Sequence, residues 1–391
     1  MHPMKSEKKL NIFLVNFDWR DIYQQKEKTE LIEKLERDRL GSRENNFFFF
    51  SWAKSSYAVL EGQYRTVHQK SHGLEKVRPL LDMWSWFLIP YTAHKHKLRP
   101  DAWVTYDFGM VPSLWICKKM YGGKLVFVLN NQPAIYSQTR KFGKIKGLYS
   151  WVMERIGIRF VDHALTINET LKKYIVALGA PGEKVTIFSM NTIDRDARFI
   201  TESKKGEIRK RHNLGPKTKV LLTVARLEAE KNYPKLLELF AGLSDDHVLF
   251  ALGRGSLLPE LELQAEKLGI RDRVFFEGYV SRDKIWDYFN DADAFILLSK
   301  AEALGVVLWE AIVAGVPIVC SQVEGMVETV GKDKERGRVW SEASGQEGFN
   351  ERVKFCTEES REKKEMLARA QAFVEAQRKN QMTINKLPIW G

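Results

Sequence analysis

The second half of the chain alternates between short apolar runs and longer segments with helical spacing. The short runs are rich in β-branched and aromatic residues and predict five strands: KVLLTVA, HVLFALG, VFFEG, AFILLS and PIVCS. The segments YPKLLELFAGL, LLPELELQAEKLG, RDKIWDYFND and GVVLWEAIVAG lie between them and predict helices. Strands that alternate with helices of this length are typical of βαβ units and of a parallel sheet covered on both faces.

The first half of the chain alternates less regularly. Its apolar runs LNIFLVN, NNFFFFSW, AWVTY, KLVFVL, HALTI and KVTIFS predict further strands. Residues 27–40 and 112–120 have helical spacing, and REKKEMLARAQAFVEAQRKN predicts a last helix. The polar stretch NTIDRDARFITESKKGE indicates a domain boundary. We predict a Rossmann-like domain over residues 1–195, a second over 196–370, and a C-terminal helix and tail over 371–391.

Composition and charge agree with this organisation. A chain of 391 residues with 44% hydrophobic residues suits two globular domains. Its net charge of +12 favours polyanionic partners: nucleic acid, an anionic membrane surface or phosphorylated substrates. The three cysteines have the spacing of neither a metal site nor a disulfide framework, which indicates a reducing compartment. No apolar run approaches the ~20 residues that span a bilayer, so we expect a soluble, cytoplasmic protein.

Charged residues follow the predicted strands of the second half. Arg226 and Lys231 follow KVLLTVA and precede a helix, and Gly253 follows the next strand. Carboxyl ends of parallel strands share one edge of a sheet, and helix N-termini there favour anions. The alternatives are a solvated loop for the two cations and an ordinary turn for the glycine.

The segment KAEALGVVLWEAIVAG places two carboxylates in apolar surroundings. Glu302 falls in the predicted strand-to-helix turn, and Glu310 about two turns into the helix. Ionised carboxylates only accept hydrogen bonds, which suits them to the hydroxyls of a polyol, and the amides of residues 303–306 would face the same ligand. The alternative is that Glu302 caps the helix and Glu310 forms a surface pair.

The ordered motifs VARLEAEKN, ALGRGS, RVFFEGYVSRDKIWDYFNDADAFILLS and EALGVVLWEAIVAGVPIVCSQVEGMVE resemble the nucleotide-sugar half of retaining glycosyltransferases of family 4, the glycosyl transferases group 1. The resemblance covers residues 219–330. It implies an α/β fold of the GT-B type, with two Rossmann-like domains facing a central cleft and a C-terminal helix that crosses back to the first domain. It also implies a hexosyltransferase that moves a sugar from a nucleotide-sugar co-substrate to an acceptor hydroxyl, with retention and without a metal or other cofactor.

The resemblance assigns roles to individual residues. Glu310 would bind the ribose hydroxyls and Glu302 the donor sugar. Arg226 and Lys231 would neutralise the departing diphosphate, where preorganised charge speeds a reaction. The other donor-binding residues that it implies are Gly253, Tyr279, Val280, Ala303, Leu304, Gly305 and Val306.

The first half departs from the family pattern. Many members carry a Gly-Gly turn where this chain has NFDWRDIYQQ, and a histidine where it has VLNNQPAIYS. Asn131 and Asp107 are the candidates on the acceptor side, although Asp107 alternatively makes only a turn. These departures leave open a non-catalytic scaffold that binds a nucleotide. An epimerase would need acid and base groups that the first domain does not offer.

The expected acceptor is a lipid-linked glycan or glycolipid of surface polysaccharide biosynthesis, an analogy with the family. Residues 140–159 combine a helical apolar stripe with flanking cations, which fits either an anionic membrane surface at the inner membrane face or a helix docked on its sheet. A glycosyltransferase acting on nucleic acid is the alternative, but no helix joins an arginine row to aromatics at stacking spacing. Of two Asp-x-Asp triplets, 194–196 lies in the predicted linker and 291–293 precedes a strand, so no metal site is expected.

Overall fold

The protein is described here from a computed structural model, over residues 10–15, 45–53, 57–59, 64–70, 78–129, 143–188, 205–302, 304–379 and 384–390. The chain forms two compact units. The first comprises residues 1–191 together with 381–391, and the second comprises residues 192–380. The chain therefore returns to the first unit after its last long helix.

The first unit contains an eight-stranded sheet in the order β3-β4-β2-β1-β5-β6-β7-β8. All pairings are parallel except that of β3 with β4. Its strands are β1 (Asn11–Val15), β2 (Asn46–Ala53), β3 (Tyr57–Val59), β4 (Tyr64–Lys70), β5 (Ala102–Thr105), β6 (Lys124–Leu129), β7 (His163–Thr166) and β8 (Val185–Ile187). Six of these match the predicted strands. Strands β3 and β4 were not predicted, because YRTVHQK in β4 is too polar to mark a buried strand.

Four helices of the first unit are α1 (Arg78–Lys95), α2 (Val111–Tyr121), α3 (Gly143–Gly157) and α4 (Glu169–Ala177). Helix α2 confirms the helical spacing of residues 112–120, and the predicted helix at 27–40 lies outside the described residues. The connections β4-α1-β5, β5-α2-β6 and β6-α3-β7 all move in one direction across the sheet. Because such crossovers are right-handed, α1, α2 and α3 cover the same face.

The last described residues complete the core of the first unit. Ile384 and Leu387 are buried and pack in one cluster with Leu14, Val104 and other strand residues. The indole nitrogen of Trp390 donates to the Ile384 carbonyl at 2.6 Å and closes this segment on itself.

The second unit contains a six-stranded, all-parallel sheet in the order β11-β10-β9-β12-β13-β14. Its strands are β9 (Lys219–Val224), β10 (His247–Leu252), β11 (Val274–Gly278), β12 (Ala294–Leu297), β13 (Ile318–Ser321) and β14 (Arg338–Trp340). The five predicted strands are confirmed. All six residues of β10 are buried, as expected for a strand with both faces covered.

Eight described helices belong to the second unit. They are α5 (Glu207–Arg211), α6 (Tyr233–Ala241), α7 (Leu258–Lys267), α8 (Ile285–Asp291), α9 (Val306–Val313), α10 (Glu324–Val330), α11 (Gly345–Thr357) and α12 (Arg361–Lys379). The predicted helices correspond to α6, α7, α8, α9 and α12.

Candidate active site

The candidate residues of the second unit gather at one edge of its sheet. Strands β11, β10, β9 and β12 are neighbours in that order and run parallel. Their carboxyl ends therefore lie side by side, and the loops after them carry Tyr279, Gly253, Arg226 and Glu302. Open α/β sheets bind their ligands at this edge.

Arg226 and Lys231 lie in the loop after β9, which closes with a short 3₁₀ turn at Ala229–Lys231. The Arg226 guanidinium donates to Glu230 at 2.6 Å, and its side chain is 61% exposed. The Lys300 amide donates to the Glu230 carbonyl at 2.8 Å, which ties this loop to the loop after β12. Arg226 is thus held at the surface of the edge, where it is open to a ligand.

Lys231 and Glu302 form the central ion pair of this edge. The ammonium group lies 2.5 Å from a Glu302 carboxylate oxygen, and the two side chains are only 13% and 16% exposed. Neither of the two alternatives in the sequence analysis, a solvated Lys231 or a Glu302 that caps the helix, agrees with this contact. The structure brings together two residues that are separated by 71 positions.

The loops after β9 and β10 are joined along their backbones. The Leu227 amide donates to the Arg254 carbonyl at 3.0 Å, and the Leu257 amide donates to the Leu227 carbonyl at 3.1 Å. Gly253 has φ +142°, and a Cβ there would collide with the Ala225 carbonyl oxygen. Glycine is required because both its backbone angle and the space beside it exclude a side chain. The predicted ligand role of Gly253 remains a prediction; its contact with the Arg226 loop is structural.

Glu228 adds a contact that the sequence did not reveal. Its carboxylate accepts hydrogen bonds from the Ser256 amide at 3.1 Å and from the Ser256 hydroxyl at 2.9 Å. Both partners belong to motifs quoted from the sequence, VARLEAEKN and ALGRGS, but nothing in the sequence indicates that these two loops touch at residues 28 positions apart.

The start of α9 is open. Gly305 precedes the helix in the left-handed region with φ +64°, and no side chain caps the helix. Leu304 is buried, Val306 begins the helix, and Ala303 lies outside the described residues. An uncapped N-terminus presents free amides and a partial positive charge, which suits an anion.

Glu310 lies nearer the start of the helix than predicted. It is the fifth residue of α9, slightly more than one turn from the start and not two, because a turn takes about 3.6 residues and the helix begins only at Val306. Its carboxylate accepts a hydrogen bond from the Arg282 guanidinium at 3.0 Å, and the Glu310 side chain is 12% exposed. Arg282 follows β11, so this contact spans the edge past β10 and β9. The sequence could not indicate this contact, because the order of the strands in the sheet differs from their order along the chain.

Tyr279 and Val280, the predicted neighbours of the base, directly follow β11. Tyr279 is 67% exposed, and the Arg254 guanidinium lies 5.6 Å from the centre of its ring. An exposed ring beside a cation offers a stacking surface to a planar ligand.

The acceptor-side candidates lie in the first unit. Asp107 caps the 3₁₀ helix Phe108–Met110, and its carboxylate accepts from the Gly109 amide at 2.8 Å. This turn is the alternative that the sequence offered for Asp107. Asn131 lies outside the described residues.

Asp291 and Asp293 form hydrogen bonds with residues near the start of the second unit. Asp291 is buried and accepts hydrogen bonds from the amides of Gly206, Ile208 and Arg209, so it caps α5. Asp293 accepts from Arg209 and from the Val220 amide, each at 2.7 Å. The triplet at 194–196 lies outside the described residues, and the described ranges contain no group of three or more His, Cys, Asp and Glu that could hold a metal.

The predicted membrane segment is only partly described. Helix α3 exposes Leu148, Trp151 and Ile156, whereas Met153 and Glu154 are buried against the unit. Arg140 and Lys141 lie outside the described residues. In the described part of the chain, no helix is both long and apolar enough to pass through a bilayer.

A family model matches the unit that carries this edge. The model is that of the glycosyl transferases group 1, and the match covers residues 204–375. Residues 204–375, hereafter the group 1 domain, are similar to that family. The candidate residues from Arg226 to Glu310 all lie within this domain.

Curated relatives agree with this assignment. An uncharacterized glycosyltransferase of Methanocaldococcus jannaschii is 28% identical over 203 residues, 49% of this chain and 51% of that protein. The alpha-monoglucosyldiacylglycerol synthase of Streptococcus pneumoniae is 32% identical over 123 residues, 31% of this chain and 28% of that protein. The chain thus spans about half, or less, of the length of these relatives.

Solved structures extend the similarity to both units. The Anabaena protein HepE in complex with UDP superposes with a TM-score of 0.67 at 17% identity, covering 94% of this chain and 95% of that one. The chain has the GT-B fold, as the sequence predicted.

Proposed function

We propose that this protein is a retaining glycosyltransferase that uses a nucleotide-sugar donor. The observation that carries the proposal is the Lys231–Glu302 pair at the open start of α9, in a group 1 domain. A diphosphate needs cations and free amides, and a sugar needs acceptors for its hydroxyls. This edge of the sheet offers both within one group of residues.

The chemistry follows from the charges. The bond between the anomeric carbon and the diphosphate oxygen breaks, and its electron pair stays on that oxygen. Lys231, Arg226 and the amides at the start of α9 stabilise the resulting negative charge. The acceptor oxygen bonds to the anomeric carbon and passes its proton to the leaving phosphate, which lies on the same face and gives retention. Losing one such preorganised group typically costs ~10²–10³ in rate.

Two carboxylates would hold the rest of the donor. Glu302, oriented by Lys231, would accept from the sugar hydroxyls, and Glu310 from the ribose hydroxyls. Without a donor, the Arg282 guanidinium forms an ion pair with the Glu310 carboxylate. When the donor binds, Glu310 would either accept from Arg282 and the ribose together or lose its contact with Arg282. The exposed ring of Tyr279 would pack on the base.

The proposed acceptor is a lipid-linked glycan or glycolipid of surface polysaccharide biosynthesis. The name of the Streptococcus relative, which describes a diacylglycerol glycolipid, supports a lipid acceptor. We further propose that the reaction requires neither a metal nor another cofactor, because protein cations and amides supply the positive charge. Activity would then survive EDTA.

A donor screen tests the proposal. Nucleotide sugars, beginning with UDP-sugars because HepE binds UDP, are tested for thermal stabilisation of the wild type, Glu310→Ala and Arg226→Ala. We expect one donor class to stabilise the wild type and both variants to lose that stabilisation. Donor hydrolysis or transfer, with the product anomer determined by NMR, tests turnover and retention. Nucleotide binding without hydrolysis or transfer would instead support the alternative, a non-catalytic scaffold that binds a nucleotide.

A further inference from the structure

Helix α1 turns a row of large apolar side chains to solvent. Met83, Trp84, Phe87 and Tyr91 are 51%, 50%, 76% and 60% exposed, whereas Ile89 on the inner face is fully buried. Their spacing of three and four residues places the exposed side chains on one face of the helix. A surface helix of an α/β domain normally presents polar residues there, so this row marks an interaction surface.

The apolar surface continues onto the neighbouring helices. Helix α2 packs on α1 through a hydrogen bond from the Ser113 hydroxyl to the Ser85 carbonyl at 3.1 Å. Helices α2 and α3 cover the same face of the sheet as α1. Their own exposed apolar side chains are Ile116, Met120, Leu148, Trp151 and Ile156. We call these residues, with the four of α1, the apolar face.

The apolar face lies in the most basic part of the chain. Residues 78–160 contain 13 Lys and Arg against 4 Asp and Glu, a net charge of +9 out of the chain's +12. Lys95, Lys97 and Arg99 are exposed at and just beyond the end of α1, and Lys119 is exposed on α2. This part of the sequence thus carries nine of the twelve net positive charges of the chain.

We propose that the apolar face docks on the surface of an anionic lipid bilayer. Exposed Trp and Tyr suit the headgroup layer, Phe and Met suit the acyl boundary, and Lys and Arg bind anionic headgroups. Protein interfaces, in contrast, are depleted in lysine. The sequence indicated only residues 140–159 as a membrane-binding segment. In the described residues, the largest row of exposed apolar side chains lies instead on α1. This inference concerns the first unit and does not depend on sugar transfer by the group 1 domain.

Vesicle co-sedimentation of the full chain tests the proposal. We expect binding to vesicles of 70% phosphatidylcholine and 30% phosphatidylglycerol, and little binding to pure phosphatidylcholine. Phe87→Glu should reduce the partition coefficient by at least about tenfold, and Phe87→Ala by less. The matched control is Leu263→Glu on α7 of the other unit, which is 50% exposed and should bind as the wild type does.

Charge reversal provides the second arm. Lys95→Glu with Arg99→Glu should weaken binding and make it less dependent on salt, whereas Lys267→Glu on α7 should change it little. Thermal unfolding and nucleotide binding of each variant report whether it folds. Wild-type partitioning by Phe87→Glu would overturn the proposal. So would a wild-type dimer that ignores vesicles and that Phe87→Glu converts to a monomer, because the face would then join two copies.

Discussion

The charges of Lys231 and Glu302 neutralise each other, and either charge would be costly to bury without its partner. With both side chains largely buried, removing either partner leaves the other without compensation. The pair therefore has a structural role and, under the proposed mechanism, a catalytic one. Single substitutions cannot separate these two roles, but a double substitution can.

We expect Lys231→Met alone to lower the free energy of unfolding by about 3 kcal/mol, because the largely buried Glu302 loses its ion-pair partner. Lys231→Met combined with Glu302→Gln should recover most of that loss, since no unpaired charge remains. Transfer activity should stay below ~1% of wild type in both proteins. Urea unfolding and a transfer assay measure the two effects. Activity that recovers with stability would contradict a catalytic role for the pair.

Arg282 gives a second prediction at this scale. Because its guanidinium occupies the Glu310 carboxylate in the free protein, Arg282→Ala should leave donor affinity unchanged or tighten it up to about tenfold. Glu310→Ala should weaken donor binding by about tenfold or more. Calorimetric titration with the donor found in the screen measures both. Equal losses in the two variants would mean that Arg282 itself contacts the donor.

At the scale of elements, the site depends on how the loops after β9 and β10 are joined. Gly253 permits the close approach, and the Leu227 backbone exchanges hydrogen bonds with Arg254 and Leu257. These contacts place the Arg226 loop relative to the rest of the edge. A substitution in the loop after β10 should therefore displace the charge of Arg226 in the loop after β9.

Gly253→Ala should lower donor affinity and stability together, because the added methyl group collides with the Ala225 carbonyl. The matched control is Gly269→Ala, at φ +67° but with no atom within 4 Å of the added Cβ. It should cost only the backbone strain of about 1 kcal/mol and leave donor binding intact. Thermal unfolding and donor titration compare the two. Intact donor binding by a folded Gly253→Ala would show that the close approach does not position Arg226.

Much of this edge was predictable from the strand pattern. Arg226, Lys231 and Glu302 each follow a short buried run, and parallel strands end at a common edge. Arg282 escaped prediction because it follows β11 and reaches Glu310 across two intervening strand ends, a relation set by sheet order. In the first unit, β4 was missed because its polar residues lack the apolar run of a buried strand, and α1 because Pro90 interrupts a helical pattern.

At the scale of the whole molecule, the two units have separate cores, and buried cysteines report on each. Cys117 lies in the first unit, and Cys320 and Cys356 lie in the second; all three are free and buried. Burial raises the pKa of the Cys117 and Cys356 thiols to about 12 and also raises that of Cys320. The thiolate, which is the reactive form, is therefore scarce in the folded protein.

We expect no cysteine to react with iodoacetamide at pH 8 in the folded protein. In rising urea, labelling of Cys117 should follow the unfolding of the first unit, and that of Cys320 the unfolding of the second; peptide mass spectrometry resolves the sites. The raised pKa values also predict that stability falls above pH 9, where the unfolded thiols ionise and the folded ones do not. Labelling of Cys117 at pH 8 without urea would contradict its burial.

The return of Ile384 and Leu387 to the core of the first unit has a consequence for biosynthesis. A ribosome produces the strands of that unit first, yet these two residues emerge only after the whole second unit has been made. Until then the first unit lacks two residues of its buried core, whereas the second unit can already fold. A nascent chain halted near residue 380 should therefore give a protease-resistant second unit joined to a first unit that trypsin still digests.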